Sequence, residues 1–126
     1  MIIHELEFGK FSIYPNIMIG EIYEDVHFDL ELNKIVCDIA RSHFGDTKNF
    51  GYISHRLNNY SIDPMVHHLN KDFNNLKCFA VVNPTGIKPA AKIESKFYYK
   101  DRFYSFLEMD EAVTWVSHIL QNLPKE

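Results

Sequence analysis

The sequence predicts a single α/β domain with a mixed, partly parallel sheet of about six strands, covered by about four helices. After an N-terminal hairpin, strand-like and helix-like apolar spacings alternate along the chain, and repeated strand–helix units favour parallel strands joined by crossover helices. The segment Cys78–Val82 is apolar at every position, which is typical of a central strand buried on both faces. A chain of 126 residues is long enough for one such domain, covering 1–126.

The first strands are predicted to form an antiparallel hairpin followed by a third strand. Apolar residues recur over Ile2–Phe8, a glycine turn follows, and Phe11–Tyr14 runs back. Pro15 and Asn16 then turn the chain into the largely apolar strand Ile17–Tyr23.

From Asp29 the apolar residues recur at steps of three and four, which predicts an amphipathic helix over Leu30–Phe44. Asp29 is a suitable N-cap, and Gly45 is a suitable left-handed residue after the helix. Both ends of this helix therefore have a local chemical cause.

Three strand–helix units complete the prediction. The strands are Phe50–Ser54, Cys78–Val82 and Phe103–Phe106. The first helix begins at Asp63 and Pro64 with Met65, Val66, Leu69 and Phe73 on its inner face, the second covers Ile87–Tyr98, and the last has the stripe Met109, Ala112, Val113, Val116 and Leu120 and ends at Pro124.

Composition narrows the function classes. Thirteen Lys and Arg against seventeen Asp and Glu give a net charge of −4, and the basic residues are scattered, so no nucleic-acid partner is predicted. No stretch approaches the roughly 20 apolar residues of a membrane helix, so no membrane partner is predicted. Cys37 and Cys78 are expected to be small core side chains, which fits a reducing, cytoplasmic location.

The most informative segment lies between Tyr52 and Pro64, where an apolar strand ends, a polar loop follows and a helix begins. Loops at the carboxyl ends of neighbouring parallel strands meet at one edge of a sheet, where ligands and partners bind. The loops 55–62 and 83–88 are therefore predicted to form one polar rim. Its candidate binding residues are His55, Arg56, Asn58, Asn59, Tyr60, Ser61, Asp63, Asn83 and Thr85. The alternative is structural: Arg56 pairs with a carboxylate, and the asparagines satisfy turn backbones.

No metal site, cofactor or catalytic set is predicted. His67 and His68 are adjacent on a helix and diverge by about 100°, and the other five histidines are scattered in the sequence. Ser54 and His55 are neighbours on a strand, so their side chains are expected to point to opposite faces. The chain is therefore expected not to be an enzyme.

The element order, the Tyr60–Asp63 entry into a helix and the closing segment Phe106–Trp115 resemble small bacterial STAS-like proteins, relatives of the anti-sigma factor antagonist domain. The segment from Tyr52 to Pro64 looks like that of soluble Flavobacterium-type members. The resemblance implies a docking surface at this loop. In the antagonists a phosphorylatable serine follows the Asp at the helix start, whereas Pro64 and Met65 stand here. The resemblance therefore implies docking without that phosphorylation switch, with Ser61 as a displaced candidate acceptor.

Two functions from different classes remain open. The leading hypothesis is a non-catalytic, STAS-like interaction module that docks an unidentified protein through loop 55–62 and the start of the Asp63 helix, and a homodimer is also left open. The alternative is a small-ligand or anion-binding domain in which Arg56 and the helix N-terminal amides hold a negative group. An enclosed pocket beside Arg56 would favour the ligand alternative, and a filled core with a flat apolar patch would favour docking.

Overall fold

A computed structural model describes residues 1–70, 72–86, 96, 98 and 101–124 of the chain. Its elements, in chain order, are β1 Ile2–Glu5, β2 Gly9–Ile13, β3 Ile17–Ile22, β4 His27–Phe28, α1 Leu30–Phe44, β5 Phe50–His55, β6 Ser61–Ile62, α2 Met65–Asn70, β7 Leu76–Val82, β8 Phe103–Phe106 and α3 Met109–Gln121. The helix predicted over Ile87–Tyr98 lies outside the described residues except for Lys96 and Tyr98. None of the helices in the described part has the length and apolar character needed to span a bilayer.

The main sheet has six strands in the order β1-β2-β3-β5-β7-β8. The first two pairings are antiparallel and the remaining three are parallel. The prediction of an α/β domain on a mixed six-stranded sheet with an N-terminal hairpin is therefore confirmed. The strand β7 lies inside the sheet between β5 and β8, as its continuous apolar sequence indicates.

Helix α1 has the predicted boundaries because both of its ends are set by local chemistry. The Asp29 carboxylate accepts a hydrogen bond from the backbone N–H of Leu32 at 3.0 Å, which satisfies a donor that no helical carbonyl can reach. After the last turn, Gly45 has a φ of 61°, a conformation that glycine adopts without a steric penalty.

The predicted inner face of α2 is wrong at two positions. Met65 and Leu69 are 49% and 53% exposed, whereas Val66 and His67 are buried. The helix has only six residues, so tertiary contacts decide which side faces inward. The His67 ring contacts Phe79 edge-on at 5.7 Å, and its Nδ1 atom is hydrogen-bonded to the Tyr98 hydroxyl at 2.9 Å.

A second, two-stranded sheet was not predicted. Strands β4 and β6 pair in parallel, with His27 opposite Ser61 and Phe28 opposite Ile62. Each strand has two residues, too few to show an apolar period. The pairing ties the loop after β5 to the loop before α1, so loop 55–62 is a braced segment.

Helices cover the two faces of the main sheet unequally. On the face covered by α3, here called the α3 face, strand residues such as Ile53 and Ala80 pack against Ala112 and Val116. The other face, here called the α1–α2 face, packs residues such as Met18 against α1 and α2. Side chains alternate between these faces along each strand.

Candidate functional site

A partly open cavity of about 60 Å³ lies between the α1–α2 face of the sheet and the two helices that cover it. Its apolar lining includes Met18, Ile22, Phe28, Val36, Ile62 and Val66. Polar side chains also line it, namely Asn33, Cys37, Tyr52, Ser54, Arg56, Tyr60, His67 and Asn70. We call it the Arg56 cavity. One water molecule needs about 10–15 Å³, so the cavity has room for a small molecule of a few non-hydrogen atoms.

Strand β5 forms one wall of the cavity. Phe50, Tyr52, Ser54 and Arg56 all line it, because every second residue of this segment faces the same side. At about 3.3 Å per residue, Phe50 and Arg56 are separated by about 20 Å along the strand. The wall therefore changes from apolar at Phe50, through two hydroxyl groups, to a permanent positive charge at Arg56.

Three side chains form a connected polar group at the Arg56 end. Ser54, 5% exposed, accepts a hydrogen bond from the Arg56 Nε–H at 3.1 Å. The Ser54 and Tyr60 hydroxyl oxygens are 3.3 Å apart and share a second hydrogen bond. The guanidinium, two hydroxyl groups and the apolar lining together make a surface with a polar end and an apolar end.

The Tyr52 ring fits over the sheet because the neighbouring strand carries Gly20. A Cβ atom at residue 20 would collide with the Tyr52 hydroxyl and lie 2.9 Å from Cε1 of Phe11. Burial raises the pKa of the Tyr52 hydroxyl above its ordinary value; Tyr60 acts in the same direction, and Arg56 opposes it. Tyr52 therefore stays protonated and neutral at physiological pH.

The helix side of the cavity carries a reciprocal amide pair. Asn33 Nδ2 donates to Asn70 Oδ1 at 2.9 Å, and Asn70 Nδ2 donates back to Asn33 Oδ1 at 3.1 Å. The Cys37 thiol also donates to Asn70 Oδ1, at 3.6 Å. Burial raises the pKa of the Cys37 thiol, so this sulfur is a neutral group in the cavity wall.

Loop 55–62 and the described part of loop 83–88 lie at one edge of the sheet, since β5 and β7 are parallel neighbours and the Arg56 N–H donates to the Val82 carbonyl at 2.8 Å. Residues 87 and 88 of the predicted loop lie outside the described residues. The predicted rim residues nevertheless divide between the two faces. Arg56 lines the cavity, whereas His55 is directed to the α3 face by the alternation of the strand. Burial lowers the pKa of His55, and Glu21 opposes that effect.

The side chains of Asn58 and Asn83 satisfy neighbouring backbone groups, and at Asn59 the backbone is itself held by a carboxylate. Asn58 Nδ2 donates to the Ile22 carbonyl at 2.9 Å. The backbone N–H of Asn59 donates to the Glu24 carboxylate at 2.9 Å, and Asn83 Oδ1 accepts from the Thr85 backbone N–H at 3.2 Å and hydroxyl at 2.8 Å. These contacts hold the loops in place. For Asn58 and Asn83 this is the role in turns that was the alternative to ligand binding.

The remaining predicted residues stand at the start of α2. Ser61 Oγ and His27 Nδ1 are 2.7 Å apart on paired strands, and neither residue lines the Arg56 cavity. The Asp63 carboxylate accepts a hydrogen bond from the Met65 N–H at 3.0 Å. Asp63 thus places its own negative charge at the helix start, where a bound anion was predicted.

Sequence reasoning found Arg56 and Tyr60 but missed several cavity residues, chiefly Tyr52, Ser54, Asn33 and Asn70. A signal was present: residues 52, 54 and 56 are polar and share one face of a strand whose α1–α2 face is covered by helices. Among the residues that the structure describes, no three His, Cys, Asp or Glu side chains are grouped closely enough to hold a metal ion.

In comparisons with known proteins, no family model, no curated protein and no solved structure matches this chain.

Proposed function

We propose that this chain is a non-catalytic domain that binds a small amphipathic molecule in the Arg56 cavity. The observation that carries the proposal is the cavity itself, sheltered by α1 and α2 and lined by apolar side chains with Arg56, Ser54 and Tyr60 at one end. Small-molecule sites are typically concave and mostly apolar, with a few polar groups that orient the ligand.

The energetic cost of the cavity supports a functional role. At about 24 cal/mol per Å³ for a closed cavity, this partly open space of about 60 Å³ lowers the free energy of unfolding by at most roughly 1.5 kcal/mol. Protein cores seldom keep voids larger than a water molecule. A ligand that binds only the folded chain restores stability through mass action.

The proposal is tested by NMR spectra of the folded chain during titration with a set of small fragments. We expect amphipathic fragments to shift the resonances of cavity residues such as Tyr52 and Val36. The variant Ala40→Leu places a larger side chain in the cavity wall and should abolish those shifts. Ser42→Leu, on the exposed side of α1, is the matched control and should leave them unchanged.

Cys37→Leu fills the same cavity from a neighbouring position and replaces Ala40→Leu if that variant does not fold. Unchanged cavity resonances with every fragment, or equal shifts in wild type and both filled variants, would contradict ligand binding at this site.

A second candidate function is the STAS-like docking module implied by the resemblance of the sequence. One observation favours it: Leu57, Met65 and Leu69 are 52%, 49% and 53% exposed, and they lie on the loop and helix named for docking. Met65 and Leu69 are four residues apart and so share one side of α2. Exposed apolar residues grouped in this way are typical of protein contacts. Both candidate functions fit a reducing, cytoplasmic setting, since Cys37 and Cys78 are free thiols.

The docking candidate is tested with Met65→Lys and Leu69→Lys in native affinity capture. The matched control is Ile3→Lys, because Ile3 is 50% exposed and lies on the edge strand β1. Docking through α2 predicts a partner that wild type and Ile3→Lys retain and that both α2 variants lose. Equal capture by all four chains would remove α2 from any docking role.

A further inference from the structure

The strand β8 forms one edge of the six-stranded sheet, and no other strand in the described part of the chain pairs with its outer side. The carbonyls of Arg102 and Phe106 accept hydrogen bonds from β7, at 2.8 and 2.9 Å. In a parallel pair, the backbone groups of every second residue turn toward the neighbouring strand. The N–H and C=O groups of Phe103 and Ser105 therefore point away from β7 and form a row of donors and acceptors at the sheet edge.

This edge lacks the features by which proteins usually protect an edge strand. Charged side chains, prolines and bulges normally discourage pairing with another chain. The four residues Phe103–Phe106 include no charged side chain and no proline, and their register with β7 is regular throughout. The backbone of β8 is therefore a template to which one further strand can be added.

Three aromatic rings flank this edge on the α3 face. Tyr104 and Phe106 lie on that face because their partners in β7 belong to the apolar cluster beneath α3. The ring centroid of Tyr104 lies 5.1 Å from that of Phe106 and 6.2 Å from that of Trp115 on α3. Tyr104 is 58% exposed, and the other two rings are half-buried. Exposed aromatic rings grouped in this way are typical of binding surfaces.

The surroundings of the three rings are acidic. Positions 103–117 contain three carboxylates, Glu108, Asp110 and Glu111, and no Lys, Arg or His. All three are exposed, and none forms an ion pair with another described residue. Glu108 precedes α3 but its side chain makes no capping hydrogen bond, so helix capping does not account for it.

The positions of these groups favour a cationic partner. Glu111 and Trp115 are four residues apart and so share one side of α3. The face of an aromatic ring attracts Lys and Arg side chains, and a neighbouring carboxylate adds to that attraction. A strand that pairs with β8 would place every second side chain on this aromatic and acidic surface.

We propose that the outer edge of β8 binds an extended, basic segment of another protein. The segment adds a strand to the sheet through the backbone of Phe103 and Ser105. Its alternate side chains are Lys or Arg and lie on the α3 face against Tyr104, Trp115 and Glu111. No residue of β8 lines the Arg56 cavity, so this interaction does not depend on the proposed ligand-binding function.

The first test uses the fluorescence of Trp115, which is the one tryptophan of the chain and reports binding at this surface directly. The probe is an eight-residue peptide of alternating Val and Lys, and we expect it to change the Trp115 emission in a saturable titration. A peptide of alternating Val and Glu should bind about tenfold more weakly, because like charges then face each other. The Val and Lys peptide with two central Val residues replaced by proline should also bind about tenfold more weakly, because proline resists strand pairing.

The second test removes a backbone donor from the edge. Ser105→Pro deletes the N–H that points outward and keeps the bonds to β7; proline is tolerated at such edge positions. The variant should bind the Val and Lys peptide about tenfold more weakly. The matched control is Ile3→Pro at the other edge of the sheet. The Leu6 N–H donates to the Gly9 carbonyl, so the Ile3 N–H points away from β2 by the same alternation, and this control should bind as wild type does.

The charge of the surface is tested separately. The double variant Glu108→Gln and Glu111→Gln should weaken binding of the Val and Lys peptide about threefold. The matched control, Glu7→Gln and Glu31→Gln, removes two exposed carboxylates elsewhere and should leave binding unchanged. Circular dichroism of each variant establishes that it is folded.

Each outcome supports or overturns one part of the proposal. No emission change with any peptide, or equal binding by the proline-bearing peptide or by folded Ser105→Pro, overturns strand addition at β8. If Ser105→Pro does not fold, the proline-bearing peptide decides that point. Equal binding of the Val and Glu peptide, or no effect of the double variant, overturns the basic partner. In ultracentrifugation of the protein alone, a dimer that Ile3→Pro retains and Ser105→Pro loses would assign the edge to a second copy and overturn the proposal.

Discussion

The two faces of the sheet are built from the same strands and are packed in opposite ways. On the α3 face, Ile53, Ala80, Ala112 and Val116 are fully buried and meet in one apolar cluster. On the α1–α2 face, the alternate residues of β5 carry aromatic rings and hydroxyl groups, and Arg56 directly after the strand adds a guanidinium, beside a cavity of about 60 Å³. The α3 face is therefore closely packed, whereas on the α1–α2 face part of the packing is replaced by the cavity in which we propose that a ligand binds.

The largest predicted effect comes from truncating one isoleucine on each face. Ile53→Ala should lower the free energy of unfolding by about 4 kcal/mol, and Ile22→Ala by about 2.5 kcal/mol. Ile53 is 0% exposed and Ile22 is 4% exposed, so burial alone does not separate them. Ile22 borders the cavity and has fewer neighbouring atoms to lose.

Urea denaturation of both variants gives the two free energies. Equal losses, or a larger loss for Ile22→Ala, would show that the α1–α2 face is packed as tightly as the α3 face.

Two glycines allow the same substitution to be made on each face. A Cβ atom at Gly51 would collide with Val116 and lie 2.9 Å from the Cys78 sulfur, and both neighbours are fully or almost fully buried. Gly51→Ala should therefore cost about 3 kcal/mol. At Gly20 the closest collision is with the end of the Tyr52 side chain, which borders the cavity and can turn toward it. The Phe11 ring, 2.9 Å away, must also shift, so Gly20→Ala should cost about 2 kcal/mol.

Thermal unfolding of the two variants compares these costs. Gly20→Ala should also weaken the binding of amphipathic fragments in the Arg56 cavity because it displaces the Tyr52 hydroxyl, whereas a destabilised but folded Gly51→Ala should retain that binding. If Gly20→Ala destabilised the protein more than Gly51→Ala does, that result would contradict the assignment of the cavity to the α1–α2 face.

The smallest effect is a pH dependence at the edge of the α3 face. Burial lowers the pKa of His55 below its ordinary value of 6.5. As the pH falls below about 6.5, the unfolded chain gains a proton at His55 before the folded chain does, so the folded state loses stability. This loss is complete once the pH is below the folded pKa.

Comparison with His55→Gln measures this dependence. The stability of wild type relative to the variant should be constant above about pH 6.5 and should decline below it. A relative stability that rises on acidification would show that this environment favours the charged imidazole.

The sequence predicted the parts of the fold that local chemistry determines. The boundaries of α1 follow from apolar spacing, an aspartate cap and a glycine with φ of 61°, and all of these are visible within one segment. The inward side of α2 was wrong because six residues show too little period. Its orientation is set by His67 contacts with Phe79 and Tyr98, which are distant in sequence.

The candidate site was predicted in part for the same reason. Arg56 and Tyr60 follow a strand, and a loop at the carboxyl end of a parallel strand is a local signal. The cavity depends on how far α1 and α2 stand from the sheet, and no residue pattern states that distance. The Asn33–Asn70 pair joins residues 37 apart, so its existence could be established only from the folded structure.

The central claim is that the α1–α2 face holds a space which a small molecule can enter, whereas the described residues of the α3 face, such as Ile53, Ala80 and Val116, pack tightly beneath α3. Crystals of the protein under xenon pressure test this directly, because xenon enters apolar cavities without needing a particular polar partner. The account predicts xenon density in the Arg56 cavity, near Met18 and Val36, and none beneath α3. Xenon beneath α3, or none beside Arg56, would contradict it.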